Sequence, residues 1–405
     1  MADRSAGTKQ GIMVCGHGSR DKGAEREFGR VAKRLRQRFP DIPIEYGFLE
    51  FSAPNIHMGL NALIGQGVEE IYAVPGMLFA ATHAKNDIPS VLTTFAEKQG
   101  NVKIAYGNEL GLHQAMIDAF QTRIYESLGI DPDNHPDQLY DTMLVVVGRG
   151  TSDTMANAEV AKLTRIVNEN MGFGWADTVY SGVTYPSVGE GLERLAKLGF
   201  KKIVVAPYFL FTGRLIKRIY GYVDLVAKRM PDIEFIKTPY LNDHEKVIDA
   251  FEVRVREIMT GQVQAMPDNL MSSFKRRLAA GEVNVHHHHA EFDPHNPGAD
   301  QEDSGHHAHT HSHSPLHTHP DTHTHSKHSD NHLHNHSHDH SHGHSHAIYK
   351  HIGHPLGPRT MIGDGICNCF MRQFPQEILD QEKERIARMG DEVPLAHRQQ
   401  ECTSQ

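Results

Sequence analysis

Cysteine and tryptophan are both scarce in this chain of 405 residues, which has four of the first and one of the second. The cysteines, Cys15, Cys367, Cys369 and Cys402, are too few and too scattered for a disulfide framework. They read as reduced thiols in a cytoplasmic setting. No apolar run approaches the roughly 20 residues that a membrane-spanning helix needs. The opening residues lack the apolar core of a secretory signal. Positive charge is in deficit, with 41 Lys and Arg against 50 Asp and Glu and a net charge of −9. That argues against a nucleic-acid binder and obliges any anionic ligand to find a local cationic cluster. A Gly-x-x-x-x-Gly-Lys-Ser/Thr phosphate loop is missing too, so the sequence offers no ATP site.

What is present begins with Gly11-Ile-Met-Val-Cys-Gly-His-Gly-Ser-Arg20. An apolar run ending in Gly-His-Gly and followed by a polar helical pattern reads as strand, tight turn and helix, with Ser19 as the cap. In open α/β sheets the carboxyl rim of the strands, where His17 falls, is where ligands bind. The alternation continues with strands expected over 44–49, 70–78 and 102–106. Helices are expected over 21–38, 54–65, 83–98 and 112–128, the second opening on Pro54. Strands separated by helices imply a parallel sheet covered on both faces.

The pattern then repeats. Met143-Leu-Val-Val-Val147 runs into Gly148-Arg-Gly-Thr-Ser-Asp153, and an offset of 132 residues places Gly16 on Gly148, Gly18 on Gly150 and Asp21 on Asp153. The same offset matches Pro54 with Pro186, Gly59 with Gly191, Pro75 with Pro207, Phe79 with Phe211 and Lys85 with Lys217. The sequence therefore encodes two tandem α/β lobes, 1–130 and 131–262, related by internal duplication. Copies of this kind commonly face each other across a cleft between their sheet rims.

Duplication exposes what packing does not need. His17 falls on Arg149, Glu50 on Gly182 and His83 on Leu215, while the apolar positions match. All three polar residues of the first copy fall on one rim of its sheet. Two imidazoles and a carboxylate suit a divalent metal such as Co²⁺, Ni²⁺, Fe²⁺ or Zn²⁺, and three protein ligands leave coordination positions open. The second copy carries Arg149, Arg214, Lys217 and Arg218 in the corresponding places. These are candidates for a carboxylate clamp, with arginine suited to bidentate pairing. A solvated helix face is the plainer reading of Lys217 and Arg218, and the Lys85–Lys217 match is also what a structural pair would give.

Three stretches carry a family resemblance: Val14-Cys-Gly-His-Gly-Ser-Arg20, Phe48-Leu-Glu-Phe-Ser-Ala-Pro-Asn-Ile56 and Val74-Pro-Gly-Met-Leu-Phe-Ala-Ala-Thr-His-Ala-Lys-Asn-Asp-Ile88. In this order they resemble the motifs of sirohydrochlorin cobaltochelatases, the class II, ATP-independent chelatases. The duplicated core, histidine tract and cysteine-bearing tail together resemble the long form of that family. The resemblance implies a chelatase fold and insertion of Co²⁺ into sirohydrochlorin in anaerobic cobalamin synthesis. His17 and His83 would be metal-binding and proton-accepting residues, and Glu50 their acidic partner. Sirohydrochlorin bears eight carboxylates, which gives the Arg149, Arg214 and Lys217 cluster a purpose.

Residues 263–347 form a low-complexity segment, in which positions 286–346 hold 23 of the 32 histidines. Its densest part alternates His334, His336, His338, His340, His342, His344 and His346 with small polar residues. With so little to bury it is expected to be disordered without metal, and clustered imidazoles bind Co²⁺, Ni²⁺ and Zn²⁺. A cobalt store, a detoxifying buffer and a linker all fit this composition. The tail, 348–405, holds Cys367-Asn-Cys369, a candidate metal or redox site. Relatives of this length tend to carry a Cys-x-x-Cys pair associated with an iron–sulfur centre. Two thiolates fall short of the four a cluster normally takes; Cys402, His351, His354 or a second subunit would have to complete one. Cys15 reads as a small buried residue. The rival readings are a ferrochelatase or nickelochelatase on the same macrocycle, and a cobalt or nickel storage metallochaperone. The substrates are small molecules with no nucleic acid or membrane partner, and a homo-oligomer is compatible with the sequence.

Overall fold

A computed structural model describes residues 8–136 and 138–283. The histidine-tract and tail residues singled out above lie outside these described residues.

The first lobe is built from β1 (Gln10–Gly16), α1 (Lys22–Arg38), β2 (Ile44–Phe48), α2 (Ile56–Gly65), β3 (Glu70–Pro75), a π-helical turn (His83–Asp87) running into α3 (Ile88–Gln99), β4 (Lys103–Tyr106) and α4 (Gln114–Leu128). The second repeats it with β5 (Leu139–Gly148), α5 (Thr154–Met171), β6 (Phe173–Tyr180), α6 (Val188–Leu195), β7 (Lys202–Pro207), α7 (Arg214–Arg229), β8 (Glu234–Lys237) and α8 (Glu245–Met259). Two further helices follow, α9 (Gln262–Ala265) and α10 (Leu270–Ala279). Each lobe has one four-stranded, all-parallel sheet, in the orders β2-β1-β3-β4 and β6-β5-β7-β8. The duplicated α/β architecture expected from the 132-residue offset is therefore present strand for strand.

Three apolar layers follow from the period of the central strands. In β1, Ile12 and Val14 face an inner core, while Met13 and Cys15 face an outer one that they share with α2 and α3. Successive side chains of a strand point to opposite faces, so a strand covered on both sides must be apolar throughout. The second lobe repeats the split, with Leu144 and Val146 inward, and Val145 and Val147 outward. The inner core is continuous between lobes: Phe28, Phe120, Tyr208 and Phe251 all belong to it. Helices α1, α4, α5 and α8 fill the space between the sheets, and the Tyr208 hydroxyl donates across it to the Gly111 carbonyl at 3.2 Å.

Local boundaries differ from the sequence expectation in three places. Asp21, not Ser19, caps α1: its Oδ1 accepts from the Gly23 amide at 2.8 Å, while the Ser19 hydroxyl accepts from the Asp21 amide. Helix α2 starts at Ile56 under Asn55, whose side chain accepts from the Met58 amide, and Pro54 precedes it after a cis peptide bond. The repeat pattern fades after residue 262, yet α10 packs on the first lobe there, with Phe274 fully buried.

Candidate functional site

His17 leaves the end of β1 in a loop that one glycine makes feasible. Gly18 has φ +99°, and a Cβ there would lie 1.7 Å from the Glu50 carbonyl oxygen. Only glycine lets the loops after β1 and β2 come this close. They are tied by the Leu49 amide donating to Gly16 and the Glu50 amide to His17, both at 2.9 Å. His17 and Glu50 are thus held on adjacent loops of the same rim. His83 enters from the third position on that rim, at the head of the π turn after β3.

The two imidazoles meet edge to face, with centroids 4.4 Å apart and ring planes at 86°. Their hydrogen bonds fix the tautomers. His17 Nδ1 lies 3.0 Å from the Gly18 carbonyl, which can only accept, so Nδ1 carries the proton. His83 Nδ1 lies 2.6 Å from Asp87 Oδ2 and donates to it; both residues are buried, at 4% and 6% exposure. Each ring therefore presents the Nε2 lone pair, and both Nε2 atoms are buried with no hydrogen-bond partner among the described residues. Two buried lone pairs on neighbouring rings, each fixed by a bond on the far nitrogen, are the arrangement that metal-binding histidines use. Burial, then the neighbouring His83 and Arg149, push the His17 pKa well below its ordinary value. The ring is accordingly neutral, as a ligand or proton acceptor must be.

Glu50 stands on the same rim, with Oε2 buried as the two Nε2 atoms are. Among the described residues no set of three or more His, Cys, Asp or Glu side chains is grouped as a metal site. The Glu50 carboxylate instead lies within electrostatic reach of Arg149, whose guanidinium pKa burial lowers and Glu50 raises. Arg149 comes from the loop after β5, the second-lobe equivalent of His17. One residue of the copied lobe thus completes the rim of the first.

His17, His83, Arg149 and Arg214 all line one cleft between the lobes, with a volume of about 360 Å³. Its apolar walls include Phe28, Phe51, Phe79, Tyr208 and Phe211. At its mouth the Arg20 guanidinium stacks over Phe51 at 4.7 Å from the ring centroid. Flat aromatic walls with a few convergent polar groups suit a planar, charged ligand. Of the expected carboxylate clamp, Arg149 and Arg214 reach this cleft. Lys217 is engaged elsewhere, its ammonium bonded to Asp21 of the first lobe. Arg218 is buried, with Nη2 3.2 Å from the Ser181 hydroxyl, and its pKa is lowered to about 10 by burial. Cys15 is buried, and burial pushes its thiol pKa up. Asp87 escaped the sequence reading. Its signal is a carboxylate four residues after a histidine, one helical turn away.

Residues 11–127 and 143–258 each match the CbiX family, one match per lobe. The chain belongs to the CbiX family. It is 36% identical over 254 residues to the sirohydrochlorin cobaltochelatase of Priestia megaterium, spanning 62% of this chain and 81% of that protein. It is 30% identical over 252 residues to the sirohydrochlorin ferrochelatase of the same organism, spanning 62% and 91%. Among solved structures it resembles SirB from Bacillus subtilis with Fe³⁺ at a TM-score of 0.56 and 28% identity, covering 64% of this chain and 98% of that one. No helix among the described residues is long and apolar enough to cross a membrane.

Proposed function

We propose that this CbiX-family chain is a sirohydrochlorin chelatase whose metal is Co²⁺, acting in cobalamin synthesis. The observation that carries the reading is the His17–His83 pair, with two unpartnered Nε2 atoms on neighbouring rings at the wall of an aromatic cleft. The family membership and the named activities of the relatives support it, and the greater identity to the cobaltochelatase favours Co²⁺ over Fe²⁺.

In this mechanism the macrocycle lies in the cleft with its carboxylates toward Arg149 and Arg214. His17 and His83 take the metal through Nε2 while it sheds water. As it passes to the pyrrole nitrogens, the freed imidazoles accept the two displaced N–H protons. Asp87 balances the charge that forms on His83 by accepting its Nδ1 proton bond. Glu50 stays the acidic partner on the rim, within electrostatic reach of Arg149. Chelation by the product drives insertion without ATP. A reducing, cytoplasmic setting belongs to the same reading.

The test is incubation of purified chain with sirohydrochlorin and Co²⁺, Ni²⁺ or Fe²⁺ in turn, followed by absorbance. Fastest insertion with Co²⁺, abolished in His17→Ala, is expected. Faster insertion of Fe²⁺ would reassign the metal, and no insertion with any metal would leave a storage protein.

A further inference from the structure

Helix α10 lies beyond both family-matched segments, and it is docked on the turn that carries His83. Phe274 is fully buried, Leu270 and Met271 pack on the outer core of the first lobe, and Thr93 Oγ1 lies 3.7 Å from the Met271 sulfur. Arg277 reaches the turn itself. Its Nη1 donates to Asn86 Oδ1 at 2.6 Å and its Nη2 to the Lys85 carbonyl at 2.8 Å. Both acceptors sit between His83 and Asp87.

The second lobe does without this arrangement. Its α7 is regular, with Leu215, Arg218 and Ile219 in place of His83, Asn86 and Asp87. Between Lys85 and Lys103 at the start of β4 the first lobe is one residue longer than between Lys217 and Glu234 at the start of β8. One residue is the increment that a π turn absorbs. A single π turn inside an α-helix is rare and recurs at functional sites, and here it is held from outside the helix by Arg277. A planar guanidinium bonded to two consecutive residues fixes the rotation of that turn. Rotation sets the direction of His83 Nε2.

We propose that Arg277 is a positioning residue for His83, which makes α10 a working part of the site and not only a terminal prop. The expected effect on activity rests on the chelatase reading above; the effect on the turn does not. The test uses the full chain, with Arg277→Ala and Arg277→Lys. In Arg277→Ala, kcat for metal insertion should fall by about tenfold or more, as for other groups that orient a metal-binding histidine. KM for the macrocycle and the melting temperature should change little, and Arg277→Lys should recover part of kcat through its single donor head. Hydrogen exchange of the metal-free protein supplies a second readout: amides 83–88 should exchange faster in Arg277→Ala while the strands of the first lobe do not. If wild-type chain inserts no metal, the chelatase reading fails and exchange alone decides this one. Unchanged exchange at 83–88 overturns the proposal whatever the activity, and so does a wild-type kcat in Arg277→Ala when the parent is active.

Discussion

Asp21 serves two lobes at once: Oδ1 caps its own helix α1 through the Gly23 amide, and Oδ2 bonds the Lys217 ammonium of the second lobe. The copy does the same in reverse. Asp153 Oδ1 caps α5 through the Met155 and Ala156 amides, while Oδ2 bonds Lys85 of the first lobe. The two pairs are related by the sequence offset and close the lobes on each other.

Asp21 and Lys217 side chains are 6% and 16% exposed, against 19% and 32% for Asp153 and Lys85. Asp21→Ala removes a cap and one carboxylate partner of a largely buried ammonium, a cost of about 2–4 kcal/mol. Asp153→Ala should cost less, because its lysine is better solvated. Denaturant melts of both variants check the order. Lys217→Ala separates structure from substrate binding: a lowered melting temperature with an unchanged KM for the macrocycle is expected. A raised KM at unchanged stability would return Lys217 to the carboxylate clamp.

His83 and Asp87 form a buried polar pair where the second lobe has Leu215 and Ile219. The copy therefore supplies the apolar replacement ready-made. His83→Leu alone removes one hydrogen-bond partner of a buried carboxylate and should destabilise by about 1–3 kcal/mol. The double variant His83→Leu/Asp87→Ile should recover most of that loss and remain inactive. Asp87→Ala should lower kcat by about 10–100-fold, since the imidazole loses the bond that sets its tautomer. Thermal melts and insertion rates of the three variants test the set together. Equal stability of the single and double variants would sink the idea that the pair is a replaceable unit.

Much of this was legible in the chain because the gene copy acts as its own control. Gly-His-Gly against Gly-Arg-Gly located His17 and Arg149, and the missing counterparts of Glu50 and His83 located the rest of the rim. Other features were illegible for definite reasons. Ser19 and Asp21 are both good caps two positions apart, and only backbone geometry decides between them. The Lys217–Asp21 bond depends on how the lobes face each other, which no local pattern encodes. The Arg277 contact spans 191 residues to Asn86 and comes from a stretch where the repeat pattern has faded. Asp87 was readable, as a carboxylate one turn after His83, but a polar residue in a helix usually signals solvent.

Two further histidines give the fold a pH dependence of its own. His113 caps α4 and His244 caps α8, each accepting through Nδ1 from the amide two residues on at 3.2 Å. Protonation destroys the acceptor. Burial, helped by Arg254 beside His113 and Arg123 beside His244, lowers both pKa values from the ordinary 6.5. A lowered folded pKa means that the unfolded chain binds the proton first. The capping contribution is therefore complete above pH 6.5 and is lost as pH falls through the lowered folded values. Melting temperature should drop between pH 7.5 and 5, and His113→Asn/His244→Asn, which keeps a capping side chain without titrating, should flatten that drop. An undiminished drop in the double variant would assign the acid sensitivity to other groups.

Arg149 joins the chemistry of the first lobe to the charge of the second, and its removal should have two separable effects. As a carboxylate partner for the macrocycle, its loss raises KM for sirohydrochlorin. As a positive neighbour, it is one of the groups that hold the His17 pKa down. Without it that pKa rises toward 6.5, so His17 becomes protonated, and useless as ligand or base, at a higher pH than in the wild type. The acid limb of the pH–rate profile should accordingly move to higher pH in Arg149→Ala and stay near its wild-type position in Arg149→Lys. Burial remains the largest cause of the His17 shift, so the limb moves only part of the way to 6.5. A raised KM with an unmoved acid limb would make Arg149 a binding residue alone; a moved limb with unchanged KM would make it an electrostatic neighbour of His17 and nothing more.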